Sequence, residues 1–106
     1  NMTFSTRVEM KGREAWINLE GELDAAVAGE FRQAIEQVAE QKPEKLVLFV
    51  SKLQFMASAG LRVLVFAKQQ MGRDVSIYVV GAGGPVLNTL QMSGFDQSVY
   101  VQESYP

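Results

Sequence analysis

The sequence predicts a small α/β domain with a mixed, mostly parallel sheet, and three observations lead to this prediction. The chain has 106 residues, which is enough for one ordinary domain and too few for two. Hydrophobic residues first alternate with polar ones, as in strands, and then recur at every third and fourth position, as in helices. Later, short continuous apolar runs follow the pattern of buried parallel strands. We therefore expect one domain over residues 2–106 with the element order ββαβαβαβ.

Two strands and a helix make up the first part of this order. Residues 4–10 and residues 15–20 each alternate between apolar and polar side chains, which predicts two half-buried strands joined by a hairpin at Gly12. Helical spacing begins after Asp24, and an aspartate at that position is expected to be the N-cap. Residues 42–43, a Lys-Pro pair, are expected to end this helix.

The middle of the chain predicts a central strand followed by a second helix. Residues 46–50 read Leu-Val-Leu-Phe-Val, which is typical of a strand covered on both faces. The second helix is expected to begin at Ser58, with the serine as its N-cap, and to end at Gly72.

A further strand, helix and strand complete the predicted order. Residues 75–80 predict a strand, and a short helix is expected from Pro85 to the terminating Gly94. Residues 99–101 predict a weak last strand.

The composition excludes several classes of function. The chain has no Cys and no His, so thiol chemistry, zinc sites built on these residues and imidazole general bases are ruled out. Ten basic and twelve acidic residues give a formal charge of −2, which leaves no excess of positive charge for holding nucleic acid. No apolar run has membrane-spanning length, and the start does not read as a secretion signal. We expect a cytoplasmic protein that has no cofactor or metal and binds neither nucleic acid nor membrane.

Two groups of residues allow a ligand but favour a simpler interpretation. Gly81, Gly83 and Gly84 lie between a predicted strand and helix, where backbone amides can hold an anion such as a phosphate. The spacing matches neither a dinucleotide fingerprint nor a P-loop, so a plain turn is favoured. Trp16, Tyr78 and Tyr100 allow a ligand platform, although packing on the sheet is favoured.

An acidic group follows the second predicted strand. Glu20, Glu22 and Asp24 allow a divalent-metal site or an acid/base pair, and hence a small enzyme. Their spacing would put them on one face only if the strand continued, whereas Gly21 favours a turn. A solvated corner with a helix cap is therefore the favoured interpretation.

Residues 55–61, Phe-Met-Ala-Ser-Ala-Gly-Leu, present a single hydroxyl among small and apolar neighbours at a predicted helix start. A docking enzyme can reach a hydroxyl in such surroundings, and a phosphate there would meet free amides and the positive end of the helix dipole. The alternative from the residues alone is that Ser58 only caps the helix. Nucleophilic catalysis is disfavoured because no general base accompanies the serine in the sequence.

Three segments together resemble the anti-sigma factor antagonists, the small single-domain members of the STAS fold. They are residues 21–24 (Gly-Glu-Leu-Asp), residues 53–61 with Leu53 and the Ser58 motif, and residues 92–95 (Met-Ser-Gly-Phe). The resemblance covers nearly the whole chain and implies a non-enzymatic regulator that is phosphorylated at Ser58. It implies two partners. One is an anti-sigma factor that is also a serine kinase, and the other is a serine phosphatase.

The resemblance further implies partner switching. The unphosphorylated antagonist binds the kinase and releases a sigma factor, and phosphorylation breaks this complex. Asp24 is expected at the rim of the interface as the repulsive neighbour of the phosphate. The partner-binding residues that the resemblance implies are Asp24, Ala57, Ser58, Ala59, Gly60, Leu61 and Arg62.

The chain departs from the family motif at three positions. Ala57 stands where the family has Asp, Ala59 stands where it has Ser or Thr, and Arg62 stands where the better-known members have Gly. These departures keep open an alternative function, a STAS scaffold without phosphotransfer or an anion- or nucleotide-sensing module that uses the glycine-rich turn.

Overall fold

The computed structural model describes residues 3–106, and Met2, with which the predicted domain begins, lies outside the described residues. Its elements follow the predicted order, with one additional 3₁₀ turn. They are β1 (Ser5–Lys11), β2 (Glu14–Leu23), α1 (Ala28–Ala39), β3 (Lys45–Met56), α2 (Ser58–Met71), β4 (Ser76–Val80), α3 (Gly84–Ser93), the 3₁₀ turn (Phe95–Gln97) and β5 (Tyr100–Gln102).

The five strands form one sheet in the order β1-β2-β3-β4-β5. The hairpin pairs β1 with β2 in antiparallel fashion, and every later pair is parallel. Each parallel strand of this sheet is added on the same side of the previous one. Because such crossovers are right-handed, the helices that connect the strands all lie on one face of the sheet. The predicted mixed, mostly parallel sheet is therefore confirmed, and it has a helix-covered face and a helix-free face.

The hydrophobic core lies between the helices and one face of the sheet. Alternate residues of β2 are buried on this face, because successive side chains of a strand point to opposite sides. The three helices contribute to the same core from the other side. The fully buried large side chains of this core are Phe31, Ile17, Leu19, Leu23, Ile35, Leu46, Leu48, Leu64, Ile77, Leu90 and Val38.

Three turn predictions are confirmed. Gly12 in the β1–β2 hairpin has a φ of 62°, and Gly72 and Gly94 are the C-caps of α2 and α3. Gly94 has the left-handed conformation (φ 78°, ψ 0°) that commonly ends a helix.

Both predicted N-caps are wrong. The N-cap of α1 is Val27, whereas the Asp24 carboxylate accepts a hydrogen bond from the Ala26 amide at 3.0 Å. An aspartate that binds the amide two residues ahead stabilises a local turn, and α1 begins only after that turn. The N-cap of α2 is Ala57, and Ser58 is the first residue of the helix.

The central strand is longer than predicted, which explains the position of Ser58. β3 continues beyond residues 46–50 to Met56 because its pairing with β2 continues that far, and Ser51, Lys52 and Gln54 are exposed there while Leu53 is buried. Ala57 then has an extended backbone (φ −79°, ψ 171°) and is the N-cap, so the helix starts at Ser58, one residue earlier than a serine cap would require. The opposite face of β3 is covered by aromatic side chains and not by a helix, as described below.

The expected turn at Gly21 is also absent, because β2 continues to Leu23 through an irregularity in its register with β3. Gly21 has a φ of 89°, and a Cβ there would lie 2.8 Å from the carbonyl oxygen of Thr3. Only glycine allows the chain before β1 to pass this close to the strand.

Gly21→Ala is expected to lower the free energy of unfolding by about 2 kcal/mol, because it adds backbone strain and a contact with main-chain atoms. Urea denaturation measures this change. The matched control is Gly29→Ala, at an open position in α1, which is expected to be neutral or stabilising. An equal, small effect of both substitutions would contradict the account of Gly21.

Candidate functional site

The Ser58 motif lies where β2 and β3 end side by side. Leu23 pairs with Met56, and the Ala57 amide donates a hydrogen bond to the Leu23 carbonyl at 2.9 Å. Asp24 and Ser58 therefore follow neighbouring strand ends at the same edge of the sheet. Ligand and partner sites of parallel α/β sheets commonly lie at this carboxyl edge.

Gly60 allows α2 to begin directly over these strand ends. It is buried, and a Cβ there would lie 2.6 Å from Leu23 Cγ and 3.1 Å from Met56 Cγ. Any larger residue would push the first turn of α2 away from the sheet. Gly60 thus allows the Ser58 motif to pack closely on the strand ends, and Gly60 itself is buried.

Ser58 is exposed, and its hydroxyl has no hydrogen-bond partner among residues 3–106. The amides of Gly60 and Leu61 donate to the Ala57 carbonyl, at 3.0 and 3.1 Å. In the same described part of the chain, no acceptor faces the amides of Ser58 and Ala59, and Ala57 has no side chain with which to cap them. The hydroxyl therefore lies beside unpaired donors at the positive end of the helix dipole.

The other residues of the motif differ in accessibility. Ala57, Ala59 and Leu61 are half-buried, and Leu61 packs against the core. Arg62 is exposed one turn after Ser58 and forms no ion pair within residues 3–106. Its guanidinium is free to approach a group attached to Ser58.

α3 also contributes to this site, which reasoning from the sequence did not identify. The Thr89 hydroxyl oxygen lies 3.4 Å from the Met56 carbonyl and 3.2 Å from the Pro85 carbonyl of its own helix, so its single hydrogen has both as acceptors and α3 lies against the β3–α2 junction. Two large apolar side chains are exposed on these elements: Phe55 at 45% and Met92 at 80%. Residues 92–95 entered the sequence analysis as a helix end and as part of the family resemblance, and nothing in their pattern indicated that Met92 is exposed.

The glycine-rich turn is organised by the sheet. Gly81 has a φ of 82° and donates its amide to the Gln102 carbonyl at 2.9 Å, so this amide is not available to an anion. Gly83 is the N-cap of α3, and Pro85, which has no amide hydrogen, follows Gly84. The contacts of Gly81 agree with the plain-turn interpretation, and the predicted anion site remains a prediction.

The acidic group does not assemble into a metal site. Glu20 and Glu22 lie on the helix-free face, while Asp24 bonds to the amide of Ala26. Within residues 3–106, no three His, Cys, Asp or Glu side chains are grouped to hold a metal ion. No helix in that part of the chain is long and apolar enough to span a membrane.

The three predicted platform aromatics do come together, on the helix-free face of the sheet. Tyr78 and Tyr100 stack with ring centroids 4.9 Å apart. Trp16 contacts Phe49 edge-on at 5.0 Å, and Tyr105 joins both groups. This cluster lies on the opposite face of the sheet from the helices.

Comparison with known proteins identifies the fold family. The family model for the STAS domain matches residues 6–105, almost the whole chain. The chain belongs to the STAS domain family. The fold expected from the three sequence segments is thereby confirmed.

Relatives of this STAS domain include proteins named as anti-sigma factor antagonists. The anti-sigma-F factor antagonist RsfB of Mycobacterium tuberculosis is 29% identical over 84 residues, which cover 79% of this chain and 69% of RsfB. The crystal structure of an anti-sigma factor antagonist from Mycobacterium paratuberculosis superposes with a TM-score of 0.89 at 25% identity, covering 96% of this chain and 87% of that one. The phosphorylated form of the Bacillus cell fate determinant SpoIIAA has a TM-score of 0.69 at 21% identity, with 92% and 90% coverage, and this similarity concerns the fold alone.

Ala57→Asp is expected to raise the free energy of unfolding by about 1 kcal/mol, because a carboxylate at the N-cap accepts hydrogen bonds from the first-turn amides. Thermal or urea denaturation measures the gain. Ala57→Asn is the matched control, since it keeps the capping acceptor without the charge and is expected to give most of the stabilisation. Destabilisation by both variants would contradict the assignment of Ala57 as an uncapped N-cap.

Proposed function

We propose that this STAS domain is an anti-sigma factor antagonist that acts by partner switching in the bacterial cytoplasm. The unphosphorylated form binds an anti-sigma factor that is also a serine kinase, and a sigma factor is released. Phosphorylation of Ser58 breaks this complex, and a serine phosphatase restores it. The observation that carries the proposal is the exposed, unpaired Ser58 hydroxyl at the start of α2, next to the end of β2.

The relatives support the first part of this proposal. RsfB and the Mycobacterium paratuberculosis protein are both named as anti-sigma factor antagonists, and the sequence of RsfB aligns with most of this chain. We extend that role to this domain, which shares the fold of the Mycobacterium paratuberculosis protein. The role is regulatory, and no catalytic step is assigned to any residue.

The local electrostatics of Ser58 support phosphorylation as the switch. A phosphate adds about −1.5 to −2 charges at neutral pH. The unpaired amides of Ser58 and Ala59 and the helix dipole stabilise this charge in the free protein. Within a protein interface the same charge must lose water, and Asp24 at the neighbouring strand end adds repulsion. The phosphorylated protein is therefore stable on its own, whereas its complex with the partner is unfavourable.

The surface around Ser58 is suited to docking. Leu61, three residues after Ser58, is half-buried, and Phe55, three residues before it, is 45% exposed. Small residues at positions 57 and 59 leave the Ser58 hydroxyl accessible. Interfaces commonly combine exposed apolar side chains with a polar rim, which Asp24 and Arg62 provide.

Ala57 changes one element of the family motif without removing the acceptor. The family aspartate would occupy the N-cap of α2, and alanine there leaves the first-turn amides open to a phosphate on Ser58. Arg62 adds a cation one turn away that can pair with that phosphate. We therefore propose that Ser58 remains the phosphorylation site in this chain.

Ser58→Ala is expected to retain the anti-sigma kinase, and Ser58→Glu is expected to bind it at least tenfold more weakly. The measurement is quantitative capture from lysate of the source cells, followed by titration with the purified kinase. Ser98→Glu, which adds the same charge at another exposed serine, is the matched control and is expected to bind as the unmodified protein does.

Folding is monitored in parallel, because a binding loss has meaning only for folded variants. Ser58→Ala is expected to change the free energy of unfolding by less than about 0.5 kcal/mol, since the serine is exposed and is not the cap. Equal kinase binding by folded Ser58→Ala and Ser58→Glu proteins would overturn partner switching at this residue.

A further inference from the structure

A small cavity beside the end of α2 has a wall of positive and hydrogen-bonding side chains. Its volume is about 280 Å³, and residues from the last turn of α2, the start of β4 and the segment between the 3₁₀ turn and β5 line it. We call it the basic cavity. Its polar wall consists of Lys68, Arg73, Ser76, Gln97 and Ser98.

The basic cavity carries charge of one sign. No Asp or Glu lines it, and Lys68 and Arg73 form no ion pair within residues 3–106. Three other cavities of the described residues each contain at least one carboxylate. The largest of these three, about 540 Å³, contains two, and its Arg13 is paired with Glu44 at 3.8 Å. Of these four cavities, the basic cavity is therefore the one that favours an anion.

The acidic residues that lie next to this wall in the sequence do not neutralise it. Asp74 follows Arg73 in the chain but lines the 540 Å³ cavity. Asp96 accepts a hydrogen bond from the Gln97 carboxamide at 3.1 Å. Neither carboxylate lies within ion-pair distance of a cation in the described part of the chain. The positive charge of the basic cavity is therefore available to a ligand.

Uncharged donors add to the two cations. The hydroxyls of Ser76 and Ser98 have no hydrogen-bond partner among residues 3–106. Val75 and Val99 also line the cavity, and within the same residues their amides donate to no backbone carbonyl. A phosphate group accepts several hydrogen bonds, and those from charged donors are the strongest. The wall therefore offers the kind of donors that a phosphate group requires.

Arg73 is the side chain best suited to hold such a group. Lys68 lies in the last turn of α2, where the negative end of the helix dipole already attracts its charge. Arg73 follows the C-cap Gly72 and is exposed. Its planar guanidinium can donate two parallel hydrogen bonds to one phosphate group, which an ammonium cannot do.

The volume and position of the basic cavity limit what can bind there. Sites for drug-sized ligands usually have about 300–1,000 Å³, so a cavity of about 280 Å³ suits a smaller anion. The 14 residues of α2 rise by about 1.5 Å each, which puts its two ends about 21 Å apart. One small ligand cannot contact both the basic cavity and Ser58 at the start of α2.

We propose that the basic cavity binds a small phosphate-bearing anion, either inorganic phosphate or a small phosphate monoester. Arg73 and Lys68 supply the charged contacts, and the hydroxyls of Ser76 and Ser98 supply further donors. This site goes beyond the proposed switch, because it lies at the other end of α2 and requires no phosphate on Ser58.

An NMR titration of the unmodified chain with inorganic phosphate tests the proposal. We expect saturable shifts of the backbone amide resonances of residues 73–77 and 97–100, described by a single site. Glycerol 3-phosphate at the same ionic strength is the second probe, and the tighter of the two identifies whether a free phosphate or a monoester is preferred. No saturable shift with either probe, or equal shifts with sodium chloride at the same ionic strength, would overturn the proposal.

Arg73→Gln is expected to weaken phosphate binding at least about tenfold, because it removes a charged donor. The matched control is Arg62→Gln, which removes the same charge near the start of α2 and is expected to bind phosphate as the unmodified chain does. The reverse pattern would assign the anion to the amides at the start of α2 and would overturn the proposal. Equal affinities of all three proteins would also overturn it.

Ser98→Glu separates this site from the proposed switch. A carboxylate in the wall of the basic cavity is expected to abolish phosphate binding, whereas the same variant is expected to bind the anti-sigma kinase normally. Unchanged phosphate binding by folded Ser98→Glu would overturn the basic cavity as the site. This outcome would leave the switch at Ser58 unaffected, and failure of the switch at Ser58 would leave phosphate binding by the unmodified chain unaffected.

Discussion

The parallel pairing of β2 with β3 is the constraint on which the rest of this domain depends. It continues through a register irregularity to Leu23 and Met56, and the hydrogen bond from the Ala57 amide to the Leu23 carbonyl extends it by one more residue. This pairing brings the chain after β2 next to the start of α2. The packing of Gly60 against Leu23 and Met56 then places the first turn of α2 directly above the two strand ends.

The order in which strands are added gives the domain two different faces. Because each parallel strand joins on the same side of the previous one, the helices cover one face only and bury a single core there. The carboxyl edge, with Ser58 at the start of α2, is available for the proposed regulatory contact. The helix-free face instead buries Val47 under aromatic rings.

The sequence predicted helix ends and turns correctly where they depend on one residue and its immediate neighbours in the chain. Gly12, Gly72 and Gly94 end or connect elements as expected, because a positive φ is a property of the glycine and its immediate chain. The two N-caps were wrong because helix starts depend on where the preceding segment ends. Pairing with β2 extends β3 through polar Ser51 and Lys52 to Met56, and no periodicity in the sequence indicates this extension.

The candidate site was found from a motif, and its surroundings were found only in three dimensions. Residues 57–62 were named from their resemblance to a family, and the structure adds that Ser58 follows the cap position and is unpaired. Thr89 approaches the site through the packing of α3, which sequence spacing does not specify. Tyr105 likewise reaches Trp16 from 89 positions along the chain, so its role as a cover for Val47 depends on the register of four strands.

The most direct test of the central claim is peptide mass spectrometry of the protein isolated from its own cells, with the occupancy of phosphate at Ser58 measured across growth and stress conditions. The account predicts phosphate on Ser58 in a fraction that changes with condition, since a reversible switch requires both forms. Ser58 that is unmodified under every condition would contradict it and would leave the exposed hydroxyl without a regulatory role.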